Sequence, residues 1–212
     1  MIPAFNVYLF DVDGTLVDSA IDIVGAIQGV LASTPRPDVP FDFIKGFIGR
    51  HLVDLFQELF PAYTPEQIDA LVVEYRRIYP LRNHASTKAY PGVAAALAQL
   101  AGRKSTATTK GTPTTRLVLE KFALLSFFNH VQGTDGFPAK PHPAVIFKAL
   151  EGLGASPNEC LFVGDSPADI EAAHRAGVKS CAVTYGYGQH ADLAKWQPDY
   201  WADSLSELLA KH

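Results

Sequence analysis

Two aspartates, Asp11 and Asp13, follow the apolar run Val7-Tyr8-Leu9-Phe10 two positions apart and lead into Gly14-Thr15. The run has the length and residue types of a short buried strand. Acids at the end of such a strand are costly unless a cation, a hydrogen-bond network or an exposed strand end compensates them. Asp13-Gly14 alone also reads as ordinary turn chemistry. Further along, "STATT" ends on Thr108 and Thr109, "LFVGD" ends on Asp165, and "AKPHP" presents Lys140 at the approach to a helix. Carboxylates brought together repel unless a proton or cation lies between them, and an all-oxygen set of this kind favours Mg²⁺. Lys140 adds a compact charge suited to phosphate, and Thr108 and Thr109 add hydroxyls and amides near a helix start. Together these groups read as a phosphoryl-transfer site.

For these residues to meet, the chain must bring their strands to one edge. From about Asp18 to His84 the pattern is helical. Ile21, Val24, Ile27, Gln28 and Leu31 line a first helix, and prolines at 35, 37 and 40 break the chain after it. "HLVDLFQELF" is a second helix. Thr64, Pro65 and Gln67 form the start of a third, with Ile68, Leu71, Val72 and Tyr75 on one face. From Tyr90 onward strands and helices alternate, including a strand in "FNHVQGTD" and a closing helix in "SLSELLAKH". Repeated βα units predict an α/β fold: a Rossmann-like parallel sheet with helices on both faces, interrupted after its first strand by an α-helical insert. Residues 1–17 and 85–212 are expected to form the α/β core and residues 18–84 the insert. Open parallel sheets bind ligands at the carboxyl ends of their strands, where Asp11, Asp13, Thr108, Thr109 and Asp165 all fall.

The bulk properties narrow the alternatives. The 212 residues are 48% hydrophobic and 19% charged, ordinary for one globular core with a modest second unit. A net charge of −4 gives no reason to expect nucleic acid or an anionic membrane as partner. No apolar run nears the roughly 20 residues needed to span a bilayer. The N-terminus lacks a basic region before its apolar stretch, so it does not read as a signal peptide. Cys160 and Cys181 are expected to be buried free thiols in a reducing cytoplasm.

"DVDGT", "ATTK", "AKPHP" and "GDSPAD" occur in the order and approximate spacing of the four motifs of haloacid dehalogenase-like phosphatases. The chain resembles the phosphoglycolate phosphatase-like branch, whose helical cap lies between the first and second motifs. "GVKSCAVTYGYG" and "QPDYWADSLSELL" are similar to that branch's ending. The resemblance implies that Asp11 is the nucleophile and that Asp13 is the acid and base. It implies that Asp11, the Asp13 carbonyl and Asp165 hold Mg²⁺, with Asp169 supporting the metal's water shell or Lys140. It also implies that Thr108 and Lys140 hold the phosphoryl oxygens. Asp169 is equally suited to capping the helix that follows. Ser166, His142 and Thr15 read as local hydrogen-bonding or capping residues. One departure stands out: Thr109 occupies a position where the family often has Asn, which would carry two more N–H donors.

"KGFIGRHL" is similar to the cap loop that reaches the substrate in this branch, and Arg50 within it is a candidate partner for a substrate carboxylate or second phosphate. The expected activity is Mg²⁺-dependent hydrolysis of a small phosphorylated metabolite such as phosphoglycolate, by a monomer or homodimer. A phosphomutase of the same family and a catalytically silent binding module on this fold are the alternatives.

Overall fold

The computed structural model describes residues 2–209. Its central sheet is parallel and five-stranded. The strands are β1 (Val7–Phe10), β4 (Arg103–Thr106), β5 (Cys160–Gly164), β6 (Lys179–Val183) and β7 (Tyr200–Ala202), in the order β4-β1-β5-β6-β7. A strand buried on both faces must be apolar throughout, and β1 is: Tyr8 and Phe10 pack toward one face, Val7 and Leu9 toward the other, all at most 1% exposed. The first face is covered by α5 (Val93–Gln99) and α6 (Thr112–Lys121), the second by α7 (Ala144–Leu153) and α8 (Pro167–Ala176). A shorter helix, α9 (His190–Lys195), precedes β7.

The helical layer has its own core. Helices α1 (Ala20–Leu31), α2 (Phe41–Lys45), α3 (Leu52–Leu59) and α4 (Pro65–Ile78) pack around Val24, Ile27, Leu31, Ile44, Leu55, Phe56 and Ile68. The chain leaves the sheet at β2 (Val17–Asp18) and returns at β3 (Lys88–Ala89), and these two segments pair antiparallel. At this crossing the buried Asp22 carboxylate meets Arg82 Nε at 3.3 Å, Ser86 N–H at 2.9 Å and the Thr87 hydroxyl at 2.8 Å. One acid of the helical layer thus binds the outgoing and returning segments together.

Helix α4 starts as its residues predict. The Thr64 hydroxyl accepts from Gln67 N–H, the Gln67 side chain accepts from Thr64 N–H, and Pro65 occupies the first turn. Helix α1 differs from the expected face. Ile21 is 55% exposed and Gln28 points outward, while Ile23, Ala26 and Val30 join Val24, Ile27 and Leu31 inside. The helix is apolar nearly all round, so periodicity alone did not fix its rotation.

Among the described residues, two expected elements do not form. "FNHVQGTD" holds only an isolated bridge between Ser105 and His130. "SLSELLAKH" holds a single 3₁₀ turn, Leu205–Leu208, with residues 210–212 outside the described part. The first difference accounts for the polarity of β4. That strand lies at the sheet edge, and the 129–132 segment covers it through side chains and two backbone bonds, from Asn129 and His130 N–H to Lys104 O, rather than a full ladder. Thr106 Oγ1 donates to Gln132 O and accepts from Gln132 N–H, both at 2.9 Å, and Ser105 Oγ meets His130 Nδ1 at 3.1 Å.

Candidate active site

β1 lies between β4 and β5, so the chain's path reverses direction across the sheet at β1, and a crevice opens at the carboxyl ends of these three strands. Asp11, Thr108 and Asp165 follow β1, β4 and β5 respectively, and all three are at most 2% exposed.

One oxygen from each of Asp11, Asp165 and Asp169 lies within 4.8 Å of the others. Asp169 comes from the first turn of α8, where it also completes a capping box with Ser166. Lys140 has no solvent exposure. Its ammonium donates to Asp169 Oδ1 at 2.5 Å and to Ala107 O at 3.1 Å, and lies 3.0 Å from Asp11 Oδ1. Burial alone would depress the lysine's pKa, but the two carboxylates raise it, so it stays charged. Asp11 is pushed up to about 6, first by burial and then, against the pull of Lys140, by Asp169 and Asp13. Asp165 is raised well above the carboxylate range by burial, with Asp169 and Asp11 adding to it. Apart from the Lys140 ammonium, Asp11 Oδ1 has no polar partner among the described residues. Three buried carboxylates that offer only oxygen donors suit a hard divalent cation, so this cluster could hold a metal.

Asp13 turns away from the cluster. Its carboxylate accepts from Ser19 Oγ at 2.5 Å and pairs with Lys110 Nζ at 3.1 Å. Of the carboxylates considered from the sequence, Asp11 and Asp165 therefore converge with Asp169, while the Asp13 side chain faces the cavity beyond. Gly14, at φ +89°, makes that divergence feasible, because a Cβ there would overlap the Asp165 carboxylate. Asp165 is held by the Thr15 hydroxyl at 3.0 Å and Tyr187 N–H at 2.8 Å, so Thr15 orients a site carboxylate rather than its own loop. Thr108 is buried at the floor, accepting from Lys110 N–H at 3.3 Å. His142 caps α7 by accepting from Ala144 N–H at 3.2 Å.

A cavity of about 540 Å³ opens between this edge and the helical layer. Asp13, Thr109 and Lys110 line it from the sheet side, Arg50, Tyr75 and Tyr79 from the helices. The "KGFIGRHL" loop reaches the sheet edge: Gly49, at φ +96°, approaches Ser166 so closely that a Cβ would lie 3.0 Å from the serine Cβ. Arg50 itself stands at the rim. It is 52% exposed, lies 3.9 Å from Asp54 and sits over the Phe47 ring. Lys110, Ser19 and Tyr187 were not singled out from the sequence. Lys110 was legible as a cation directly after the strand-end hydroxyls of "ATTK". Tyr187 carried no such signal, since its partners lie across the fold, and Ser19, six residues from Asp13, carried none because nothing local shows that its hydroxyl turns back to that acid.

Buried aspartates and a lysine at the topological switch point of a parallel sheet, beside a cavity under a helical layer, suit phosphoryl transfer. Residues 8–183 match the haloacid dehalogenase-like hydrolase family, and the chain belongs to it. It is 31% identical to a phosphoglycolate phosphatase from Pasteurella multocida, over 97% of both chains. It is 33% identical to the pyrophosphatase PpaX of Anoxybacillus flavithermus, over 97% of this chain and 95% of that one. Among solved structures, a haloacid dehalogenase-like hydrolase from Streptococcus pneumoniae superposes with a TM-score of 0.87 at 30% identity, over 97% of both chains. The chain is a phosphoric monoester hydrolase of the phosphoglycolate phosphatase-like branch.

Proposed function

We propose that the protein is a Mg²⁺-dependent phosphatase hydrolysing a small phosphorylated metabolite, with phosphoglycolate the first candidate, through an aspartyl phosphate on Asp11. The observation that carries this reading is the Asp11 carboxylate, buried and ion-paired with Lys140 at 3.0 Å, with Asp13 opening onto the cavity. Asp11 attacks phosphorus, forming an Oδ–P bond as the P–O bond to the alcohol breaks. Asp13 donates its proton to the departing oxygen, then takes one from the water that attacks the phosphoaspartate and frees Asp11. Lys140 and Thr108 hold the equatorial oxygens. Asp11, Asp165 and the Asp13 carbonyl would bind Mg²⁺, with Asp169 steadying Lys140; the bound cation would offset charge on the phosphoryl group. Thr109 lines the wall, and Arg50 at the rim attracts anionic substrate.

In this reading residues 1–17 and 85–212 do the chemistry, residues 18–84 form the cap, and the enzyme works in the cytoplasm as a monomer or homodimer, without nucleic acid or membrane. Phosphate release would be measured from phosphoglycolate, pyrophosphate and sugar phosphates, with and without Mg²⁺. Mg²⁺-dependent turnover that falls at least about 1,000-fold in Asp11→Asn is expected. No release from any compound by folded, Mg²⁺-loaded protein would overturn the reading.

A further inference from the structure

Lys110 is the cation nearest the proposed acid. Its side chain is 8% exposed, against 52% for Arg50. It pairs with Asp13 Oδ2 at 3.1 Å, donates to the Tyr79 hydroxyl at 3.0 Å and sits over the Tyr79 ring at 4.4 Å. Tyr79 belongs to the end of the helical layer, so this ammonium spans sheet edge and cap while still lining the cavity. In the proposed reaction the departing oxygen comes within a hydrogen bond of Asp13, about 2.7 Å. Lys110 then lies just beyond Asp13, within two hydrogen bonds of that oxygen. An acidic group one or two bonds from the departing oxygen falls within its reach. Both cations face an acid, Lys110 at 3.1 Å and Arg50 at 3.9 Å, but the ammonium is far less exposed and less screened, so it discriminates charge better.

We infer that Lys110 is the specificity-determining residue of the site, holding a negative group attached next to the departing oxygen. A carboxylate on the ester carbon and a second phosphoryl group share that chemistry. The inference rests on the phosphatase reading.

Binding would be measured by calorimetry in an Asp11→Asn background with Mg²⁺ present, where no turnover intervenes. The ligands are phosphoglycolate, pyrophosphate, ethyl phosphate, and 4-phosphooxybutyrate, whose acid lies beyond a chain of methylenes rather than on the ester carbon. Phosphoglycolate, pyrophosphate or both should bind about 30-fold more tightly than ethyl phosphate, the worth of a charge-assisted hydrogen bond. Adding Lys110→Met should erase that preference, Lys110→Arg should restore part of it, and phosphooxybutyrate should never show it. Which of the two favoured ligands loses more identifies the negative group as carboxylate or phosphoryl. In wild-type backgrounds, the kcat/KM ratio of the favoured substrate to ethyl phosphate should collapse by a similar factor in Lys110→Met. An equal fall for every ligand, or a preference that survives Lys110→Met and disappears in Arg50→Ala, would overturn the inference. Binding needs no catalysis, so a wild-type enzyme that turns over nothing sinks the phosphatase reading separately. Circular dichroism of each variant shows that a loss is not unfolding.

Discussion

At the residue scale, the site is a set of buried charges arranged around the Asp11 carboxylate. Asp11 and Asp165 both have raised pKa values because they are buried, and Lys140 only partly offsets the cost of charging Asp11. The pH dependence follows. A carboxyl whose folded pKa is raised binds protons more tightly in the folded than in the unfolded protein. Metal-free stability at this group is therefore greatest at low pH and declines as pH rises from about 4 through about 6. A cation needs the deprotonated oxygens, so protons compete with it below the folded value. The melting temperature should rise by several degrees with millimolar Mg²⁺ at about pH 7.5 and hardly at all at about pH 5. Differential scanning fluorimetry checks this, and an Mg²⁺ shift equal at both values would contradict it. Asp13 is secured from both sides, by Ser19 and Lys110. Ser19→Ala should lower kcat by roughly 10-fold with little change in KM, since it loosens the acid rather than the phosphate grip.

At the element scale, the Tyr185–Gly188 loop connects two structures that the sequence keeps far apart. Tyr187 N–H holds Asp165, while its hydroxyl accepts from Ser19 N–H at 2.7 Å and Ala20 N–H at 3.0 Å and donates to Asp18 at 2.9 Å. The phenol therefore caps α1, a task its own Ser19 side chain gives up in order to hold Asp13. Tyr187→Phe should cost about 1 kcal/mol in urea denaturation, the usual worth of an N-cap. Gly188 touches the Asp165 carbonyl so closely that a Cβ would collide with backbone. Gly188→Ala should therefore destabilise by about 2 kcal/mol or more and weaken Mg²⁺ binding, both measurable without activity.

At the scale of the whole molecule, a helical layer with its own apolar core is joined to the sheet by two short paired strands, and the cavity lies between. Asp22 secures that joint from inside the helical layer. Asp22→Ala should cost about 3 kcal/mol in urea denaturation, because it strips a buried acceptor from Ser86, Thr87 and Arg82 together. A loss under about 0.5 kcal/mol would mean the crossing is held by β2 and β3 alone.

Some of this was readable along the chain. A buried strand ending in two acids, the Thr64–Gln67 cap and the βα alternation each depend on neighbours within a few residues, so local pattern sufficed. Four short motifs in order, and the sheet rule that collects strand ends, then placed Asp11, Thr108 and Asp165 at one edge. The rest depended on contacts between distant segments. The rotation of α1 was set by what packs on it, because a helix apolar on most sides has no preferred face. The polarity of β4 made sense only once its edge position and the covering 129–132 segment were known. The separation of Asp13 from the Asp11, Asp165 and Asp169 cluster, its pairing with Lys110 and the reach of Lys110 to Tyr79 are long-range geometry. The sequence by itself determined which groups could do chemistry. The tertiary structure decided which way each one faces, since side-chain direction at a strand end is fixed by the packing around it.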